Sequence, residues 1–233
     1  VALTMKHFPG GGARENGFDP HYAAGQWNVY QTEDSLRKYH LPGFQAAIDN
    51  NVSSIMPYYA KPNEVKSDKQ YDINGNEISW QAVGFAFNKF FIQDLLRDQM
   101  GHKGYVNSDS GIIGNMDWGV KMLDVPEKAG YAINAGTDII SDTNDVWSIK
   151  EAYDRATNSY YDDPENELPE GFSKEQVSLT DAALNRANER LLKEMFDLGL
   201  FENPYRDPDN AKAVVDTKEN WDAAYEAHQK SVV

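Results

Sequence analysis

The strongest constraint on the fold comes from residues 103–111, KGYVNSDSG, a short apolar segment that ends at a single carboxylate. The preceding residues, 80–100, are amphipathic, and their apolar side chains recur at steps of four and five, as they do on one face of a helix. A helix, a buried strand and a loop in this order make up half of a βαβ unit. In a parallel β/α barrel the residues that follow the strands face the active site. Asp109 is therefore the first candidate functional residue.

Three further segments have the same form. Short apolar runs near residues 1–5, 52–56 and 137–141 also end at polar side chains, with Asp142 closing the last of them. Together with 104–108 they give four strands at a spacing of roughly 35–50 residues, which suits β/α units with long loops. The alternation predicts an α/β fold of about four parallel strands with helices, which is half of an eightfold barrel.

The remainder of the chain is predicted to be mainly helical. A helix over residues 125–135 starts with Pro126 in its first turn, where proline is favoured. Apolar residues at steps of four between residues 183 and 198 predict a later helix, which Gly199 ends. Residues 153–169 are acidic and rich in Asn and Pro, so we expect a surface loop there.

The chain is strongly acidic, with 37 Asp and Glu against 22 Lys and Arg and a formal net charge of −15. Because non-specific binding to nucleic acid or to an anionic membrane needs surplus positive charge, we expect neither partner. The plentiful aromatic rings and carboxylates suit a carbohydrate ligand.

No Cys is present, which excludes disulfides and thiolate metal sites. No apolar run reaches the roughly 18 residues of a membrane span.

A glycine-rich loop follows the first predicted strand. Lys6 and His7 precede it, and Pro9 with the three glycines after it prevents the strand from continuing. The loop lacks the GxxxxGK[ST] pattern of a phosphate-binding loop, and we expect His7 to face a ligand of another kind.

Residues 72–76, DINGN, alternate like a calcium loop, but the glycine and glutamate of that motif are out of place. An Asn-Gly hairpin explains them better, and we predict no metal and no cofactor.

Five stretches, taken in order, resemble glycoside hydrolase family 3. The resemblance covers nearly the whole chain, and the order and spacing of the motifs make it specific. The matching stretches are KHFPG at residues 6–10, IMPYY at 55–59, GYVNSD at 104–109, NAGTDI at 134–139, and RLL at 190–192 with LGLFENPY at 198–205.

The resemblance implies a (β/α)8 barrel of which this chain supplies the C-terminal half, strands five to eight. Residues 1–205 then form that half with its closing helices, and residues 206–233 form a helix and the start of a linker to a second α/β domain. The chain begins inside an apolar strand without an initiating Met and stops in another apolar run. We therefore expect the other barrel half and the second domain to be partners from the same protein or from another chain.

The resemblance also implies a retaining, exo-acting β-glycosidase of the β-glucosidase type, with a terminal β-linked glucoside or oligosaccharide as substrate. Asp109 corresponds to the nucleophile that forms a covalent glycosyl-enzyme. Lys6 and His7 correspond to the pair that hydrogen-bonds the hydroxyls of the terminal sugar. Tyr59 corresponds to a tyrosine near the nucleophile, and Met56 lines the same wall. The charge of Lys6 and a hydrogen bond from Tyr59 are expected to keep the Asp109 carboxylate ionised.

The position after the candidate nucleophile departs from the family pattern. Ser110 stands where the family often has Trp, which makes Trp118 the candidate for the wall that stacks on the sugar. Asp117 with Trp118 imitates the usual Asp-Trp dipeptide, but no apolar strand precedes Asp117. Asp109 therefore remains the preferred nucleophile.

The acid/base residue is not assigned by the resemblance within this chain, because in two-domain members it comes from the second domain. The segment Asp19-Pro20-His21 resembles the Asp-x-His loop that β-N-acetylglucosaminidase members use as acid/base. The open alternatives are therefore a β-N-acetylglucosaminidase with an Asp19/His21 acid/base, a β-xylosidase, or a non-catalytic sugar-binding chain of a split enzyme.

Overall fold

The computed structural model describes residues 2–141 and 143–232. The chain divides into two compact units, Val1–Glu194 and Met195–Val233. The strands are β1 (Thr4–Phe8), β2 (Trp27–Asn28), β3 (Ser54–Pro57), β4 (Lys61–Pro62) and β5 (Tyr105–Val106). The α-helices are α1 (Leu41–Asp49), α2 (Val125–Ala135), α3 (Trp147–Thr157), α4 (Lys174–Val177), α5 (Asp181–Asp197), α6 (Pro208–Val215) and α7 (Lys218–Ser231). Two π-helical segments span Leu36–His40 and Phe90–Gln99, and short 3-10 turns span Glu15–Gly17, Ala23–Gly25, Phe85–Phe87, Tyr160–Asp162 and Pro164–Asn166.

The main sheet has three strands in the order β1–β3–β5, and all of them run parallel. Beyond β5 the pairing continues as a single parallel bridge between Asn107 and Ile139, where the sequence predicts a fourth strand. The expectation of an α/β fold with parallel strands is confirmed. The fourth segment contributes only this bridge among the described residues, and Asp142, predicted at its end, lies outside them.

The first strand lies further along the chain than predicted. It runs from Thr4 to Phe8 instead of ending before Lys6, because Lys6 pairs with Met56 and Phe8 pairs with Pro57. The register shifts between Lys6 and Phe8, so that His7 lies at a bulge. Bulges re-aim a side chain, and this one lies at the strand end that carries the candidate site.

The sheet and the helical segments that precede β3 and β5 share one apolar cluster. Ile55 of β3 and Val106 of β5 are fully buried and belong to it with Leu41 of α1 and Ile92. The long helix predicted over residues 80–100 is shorter in the structure, where the π-helical segment begins at Phe90. The cause is the buried Asn88, whose side chain accepts the Phe91 N–H and donates to the Gln81 carbonyl.

Helix α2 has the predicted bounds, Val125–Ala135, and each of its ends has a capping structure. Asp124 accepts a hydrogen bond from the Glu127 N–H at 3.0 Å, and the Glu127 carboxylate accepts one from the Asp124 N–H at 2.8 Å. This capping box satisfies two donors at the helix start. At the other end Gly136 takes a left-handed conformation with φ 111°, which favours glycine. In the middle of α2, a Cβ at Gly130 would come within 1.9 Å of the Val177 carbonyl oxygen.

The surface loop predicted over residues 153–169 is wrong in its first part, because α3 extends to Thr157. Ala152 is 1% exposed and packs in a cluster with Ile133 of α2 and Ile149. The apolar spacing that builds this contact begins before residue 153, so acidic composition alone gave the wrong boundary.

In the second unit Asp207 caps α6, and Thr217 caps α7. Within residues 2–141 and 143–232, every helix is too short or too polar to span a bilayer.

A buried ion network joins α5 to the start of β5. The Asp138 carboxylate lies 2.6 Å from Arg97 Nη2 and 2.8 Å from Arg190 Nη1, and its side chain is 1% exposed. It also accepts the Val106 N–H at 2.8 Å, while Arg97 donates to the Gly104 carbonyl at 2.9 Å. Burial lowers the pKa of Arg97 to about 10, so the guanidinium keeps its charge at neutral pH. The Asp138 carboxylate therefore neutralises the buried positive charge of Arg97.

We expect Asp138→Asn to destabilise the protein by about 3–5 kcal/mol, because it leaves a buried guanidinium without a counter-charge. The measurement is the free energy of unfolding from urea titrations of the intact protein. Asp162→Asn is the matched control, since its ion pair with Lys174 is exposed and exposed pairs contribute little. Equal midpoints for the two variants would contradict a structural role for the network.

Candidate active site

The loop that carries Asp109 is held by two serines. Ser108 is fully buried, and its hydroxyl donates to the Asp109 carbonyl at 2.8 Å while accepting the Ser141 N–H at 2.9 Å. The Ser141 hydroxyl in turn donates to the Ser108 carbonyl at 2.6 Å. The segment after β5 is thereby fixed to the segment beyond Ile139, and the Asp109 side chain starts from a well-supported backbone.

The Asp109 carboxylate has one partner on each oxygen. Oδ1 accepts the Ser110 N–H at 2.8 Å, and Oδ2 lies 3.0 Å from Nε2 of His7. The side chain is 18% exposed, so a ligand at the sheet edge has access to it. This orientation suits a carboxylate that reacts with, or binds to, a group arriving from outside.

His7 contacts Asp109 as a weakly basic ring. Burial lowers its pKa below the usual 6.5, the charge of Asp109 raises it, and the charge of Lys6 lowers it. The ring is consequently neutral at pH 7, and its Nε2–H donates to the carboxylate, which only accepts. The sequence assigned His7 to sugar hydroxyls; in the structure its direct partner is the candidate nucleophile.

The other three predicted residues are Tyr59, Met56 and Lys6. Tyr59 follows β3, is 5% exposed, and donates its hydroxyl to the Ser110 carbonyl at 2.8 Å. Met56 pairs with Lys6 across the sheet and is half-buried. Lys6 is exposed, and among the described residues no ion pair joins it to Asp109. The charge of Lys6, which the sequence analysis expects beside Asp109, thus lowers the pKa of His7 and does not reach the carboxylate through a salt bridge of the described residues.

The segment Asp19-Pro20-His21 lies beside the same group of side chains. His21 Nδ1 is 2.6 Å from Asp19 Oδ1, which also accepts the His21 N–H at 3.0 Å. These two hydrogen bonds lower the pKa of Asp19. The His21 ring meets the Tyr59 ring edge-on at 4.9 Å. Both members of the pair are more than half exposed, so they remain available to a ligand.

Trp118 holds the loop of residues 19–21 by a hydrogen bond. Its indole N–H donates to the Pro20 carbonyl at 3.0 Å, and its ring is only 4% exposed. The expectation that Trp118 stacks on a sugar is therefore wrong, because its ring packs within the core. Nothing in the sequence links residues 98 positions apart, so this contact was not foreseeable.

The competing aspartate has a structural environment. Asp117 Oδ2 lies 2.8 Å from Nζ of Lys128, and each side chain is 10% exposed. Lys128 also donates to the Ile113 carbonyl at 3.3 Å. A buried ion pair of this kind fixes α2 against the preceding turn, and it leaves Asp109 as the better placed carboxylate.

We expect the pKa of His7, followed by NMR titration of its ring, to lie below 6.5 and to fall further in Asp109→Asn, since the carboxylate charge raises it. Because the folded-state pKa is lowered, the neutral ring contributes stability that is fully present above pH 6.5 and is lost as the pH falls through the folded value. Asp162→Asn, far along the chain, is the control and leaves the titration unchanged. A pKa at or above 6.5 would contradict this description.

The chain matches a protein-family model and is similar to several curated proteins. The model described as "Glycosyl hydrolase family 3 N terminal domain" matches residues 1–169. Beta-glucosidase C of Emericella nidulans is 32% identical over 241 residues, covering 99% of this chain and 33% of that protein. The periplasmic beta-glucosidase/beta-xylosidase of Dickeya chrysanthemi is 27% identical, covering 100% of this chain and 34% of that protein. The chain thus spans 33–34% of these two relatives.

A solved structure shares the fold. The beta-glucosidase from Listeria innocua superposes with a TM-score of 0.65 at 22% identity, covering 94% of this chain and 25% of that chain. The family model covers well over half of the sequence, from β1 through the loops of the candidate site to α3. The chain therefore belongs to glycoside hydrolase family 3.

Proposed function

We propose that the protein to which this chain belongs is a retaining, exo-acting β-glycosidase of the β-glucosidase type, with Asp109 as its nucleophile. The observation that carries the proposal is the partly exposed Asp109 carboxylate at the end of a parallel strand, oriented by His7 and by the Ser110 N–H. Similarity to a beta-glucosidase supports a β-linked glucoside or oligosaccharide as substrate.

In the first step an Asp109 oxygen attacks C1 of the terminal sugar. The bond between C1 and the leaving oxygen breaks, and a general acid gives that oxygen its proton. Positive charge develops at C1, so the fixed carboxylate stabilises the transition state as well as forming the new bond. The neutral His7 ring holds Oδ2 by a hydrogen bond and leaves the negative charge on the nucleophile.

In the second step water attacks C1, the acid/base group takes the water's proton, and the ester bond to Asp109 breaks. In a retaining enzyme the two carboxyl groups are about 5–5.5 Å apart. In the leading proposal the acid/base carboxyl comes from the second α/β domain. Lys6 binds hydroxyls of the terminal sugar, and Met56 with Tyr59 forms the wall beside it.

The proposed architecture is the C-terminal half of a (β/α)8 barrel. The order β1–β3–β5 and the bridge to Ile139 give four neighbouring parallel segments, as barrel strands five to eight require. Residues 1–205 then belong to this half and residues 206–233 to a helix and linker. A partner barrel half pairs with the outer edges of β1 and of the last segment.

We expect a 2-fluoro β-glucoside to inactivate the intact protein and to label Asp109, because the fluorine slows breakdown of the covalent intermediate. Asp109→Asn should lower turnover of an aryl β-glucoside by about 10³-fold or more. Peptide mapping by mass spectrometry locates the label. A label on Asp117, or equal turnover of the wild type and Asp109→Asn, excludes Asp109 as nucleophile. Sugar binding without turnover or labelling would support a non-catalytic chain of a split enzyme.

A second candidate, a β-N-acetylglucosaminidase with Asp19 and His21 as acid/base, is favoured by one observation. The Asp19–His21 pair is exposed and lies against Tyr59, which connects it to the Asp109 loop. In this version His21 protonates the leaving oxygen, and Asp19 holds the ring and stabilises its charge.

The two candidates differ in the expected effect of His21→Ala. With a carboxyl acid/base elsewhere we expect only a modest loss of rate. With a histidine acid/base, hydrolysis of substrates with poor leaving groups should fall by about 10²–10⁴-fold, whereas activated aryl substrates lose less. Rates are measured on glucosides and on 2-acetamido-glucosides, with the exposed His228→Ala as control. An equal loss on good and poor leaving groups contradicts a proton-transfer role.

A further inference from the structure

Backbone hydrogen bonds join β5 to the segment that follows α2 as far as Ser108. The Ile139 N–H donates to the Val106 carbonyl at 3.1 Å, and the Ser108 N–H donates to the Ile139 carbonyl at 2.8 Å. In a regular ladder, backbone groups alone continue such pairing. Here the next contacts pass through the hydroxyls of Ser108 and Ser141, directly before Asp109.

The two serines form a pair of hydrogen bonds that run between the same two residues. The Ser141 N–H donates to Ser108 Oγ at 2.9 Å, and the Ser141 hydroxyl donates to the Ser108 carbonyl at 2.6 Å. Ser108 extends the connection, since its own hydroxyl donates to the Asp109 carbonyl at 2.8 Å. A continuous chain of hydrogen bonds therefore leads from Ser141 to the backbone of Asp109.

Burial makes this connection hard to replace. Ser108 is fully buried, and a polar group that loses its partner in such a place is costly. Ser141 is only half-buried, so its side chain is exchanged with little disturbance of the core. Without the Ser141 hydroxyl, the Ser108 carbonyl loses its donor, and we expect the Ser108 peptide to move.

The backbone on the other side of Asp109 is held separately. The Ser110 carbonyl accepts the Tyr59 hydroxyl at 2.8 Å, and the Ser110 N–H donates to Asp109 Oδ1 at 2.8 Å. With Ser110 held in this way, a movement of Ser108 turns the residue between them. Asp109 Oδ2 lies 3.0 Å from His7 Nε2, an ordinary hydrogen-bond length that such a turn lengthens.

We propose that Ser141 is a positioning residue for Asp109, whose hydroxyl acts through Ser108 to set where the carboxylate lies relative to His7. The effect of Ser141 on turnover rests on the proposed glycosidase function. Its effect on the carboxylate does not, because the contact between Asp109 and His7 is measured without a substrate.

The first test is an NMR titration of the His7 ring in the intact protein. Burial lowers the pKa of His7, and the charge of Asp109 raises it. In Ser141→Ala we therefore expect this pKa to fall towards its value in Asp109→Asn, and in Ser141→Thr, which keeps a hydroxyl, to return towards the wild-type value. Ser231→Ala is the control, because it removes a hydroxyl-to-carbonyl bond from the second unit.

The pKa of His7 also separates positioning from a merely structural role. A loss of stability in Ser141→Ala with an unchanged His7 pKa overturns the proposal, and so does a shift that Ser141→Thr fails to reverse. A protein without turnover in which Ser141→Ala still lowers this pKa refutes the proposed function and leaves the positioning of Asp109 standing.

The second test measures turnover of an aryl β-glucoside. A displaced nucleophile lowers the rate of attack more than it weakens sugar binding, so Ser141→Ala should lower kcat by about tenfold or more and change KM less than about twofold. Ser141→Thr should recover most of kcat, and Ser231→Ala should match the wild type. An unchanged kcat in Ser141→Ala, or a loss confined to KM, contradicts the proposal.

Discussion

The parallel pairing of β1, β3 and β5 is the constraint on which the candidate site depends. His7, Tyr59 and Asp109 are about 50 residues apart along the chain, and they meet because each is at or just after the carboxyl end of a neighbouring strand. A slip of one residue in this register would turn the side chains to opposite faces. The hydrogen-bonded backbone therefore determines the geometry of the carboxylate.

Three aspartates illustrate how one residue type acquires different roles from its surroundings. Asp117 and Asp138 are buried against Lys and Arg side chains, and their ion pairs hold helices in place. Asp109 is partly exposed and meets the neutral ring of His7. A neutral donor orients the carboxylate without cancelling its charge, which is the condition that an attacking group needs.

The sequence predicted the parallel α/β arrangement and the bounds of α2, because apolar spacing and capping are local signals. The same reasoning brought Asp109 and His7 to one strand edge. It missed the extension of α3 to Thr157, where packing on α2 overrides an acidic composition. It also made Trp118 a candidate for the wall that stacks on the sugar, since a hydrogen bond to Pro20 that spans 98 positions leaves no local trace.

That hydrogen bond also limits how the protein is able to change. Because Pro20 is tied to Trp118, the loop carrying Asp19 and His21 shares its position with a core residue encoded far downstream. An insertion or deletion in this loop needs a compensating change around Trp118 to keep the pair in register with Tyr59. Diversification of the loop, in nature or in the laboratory, is thus expected to proceed through coupled substitutions in both segments.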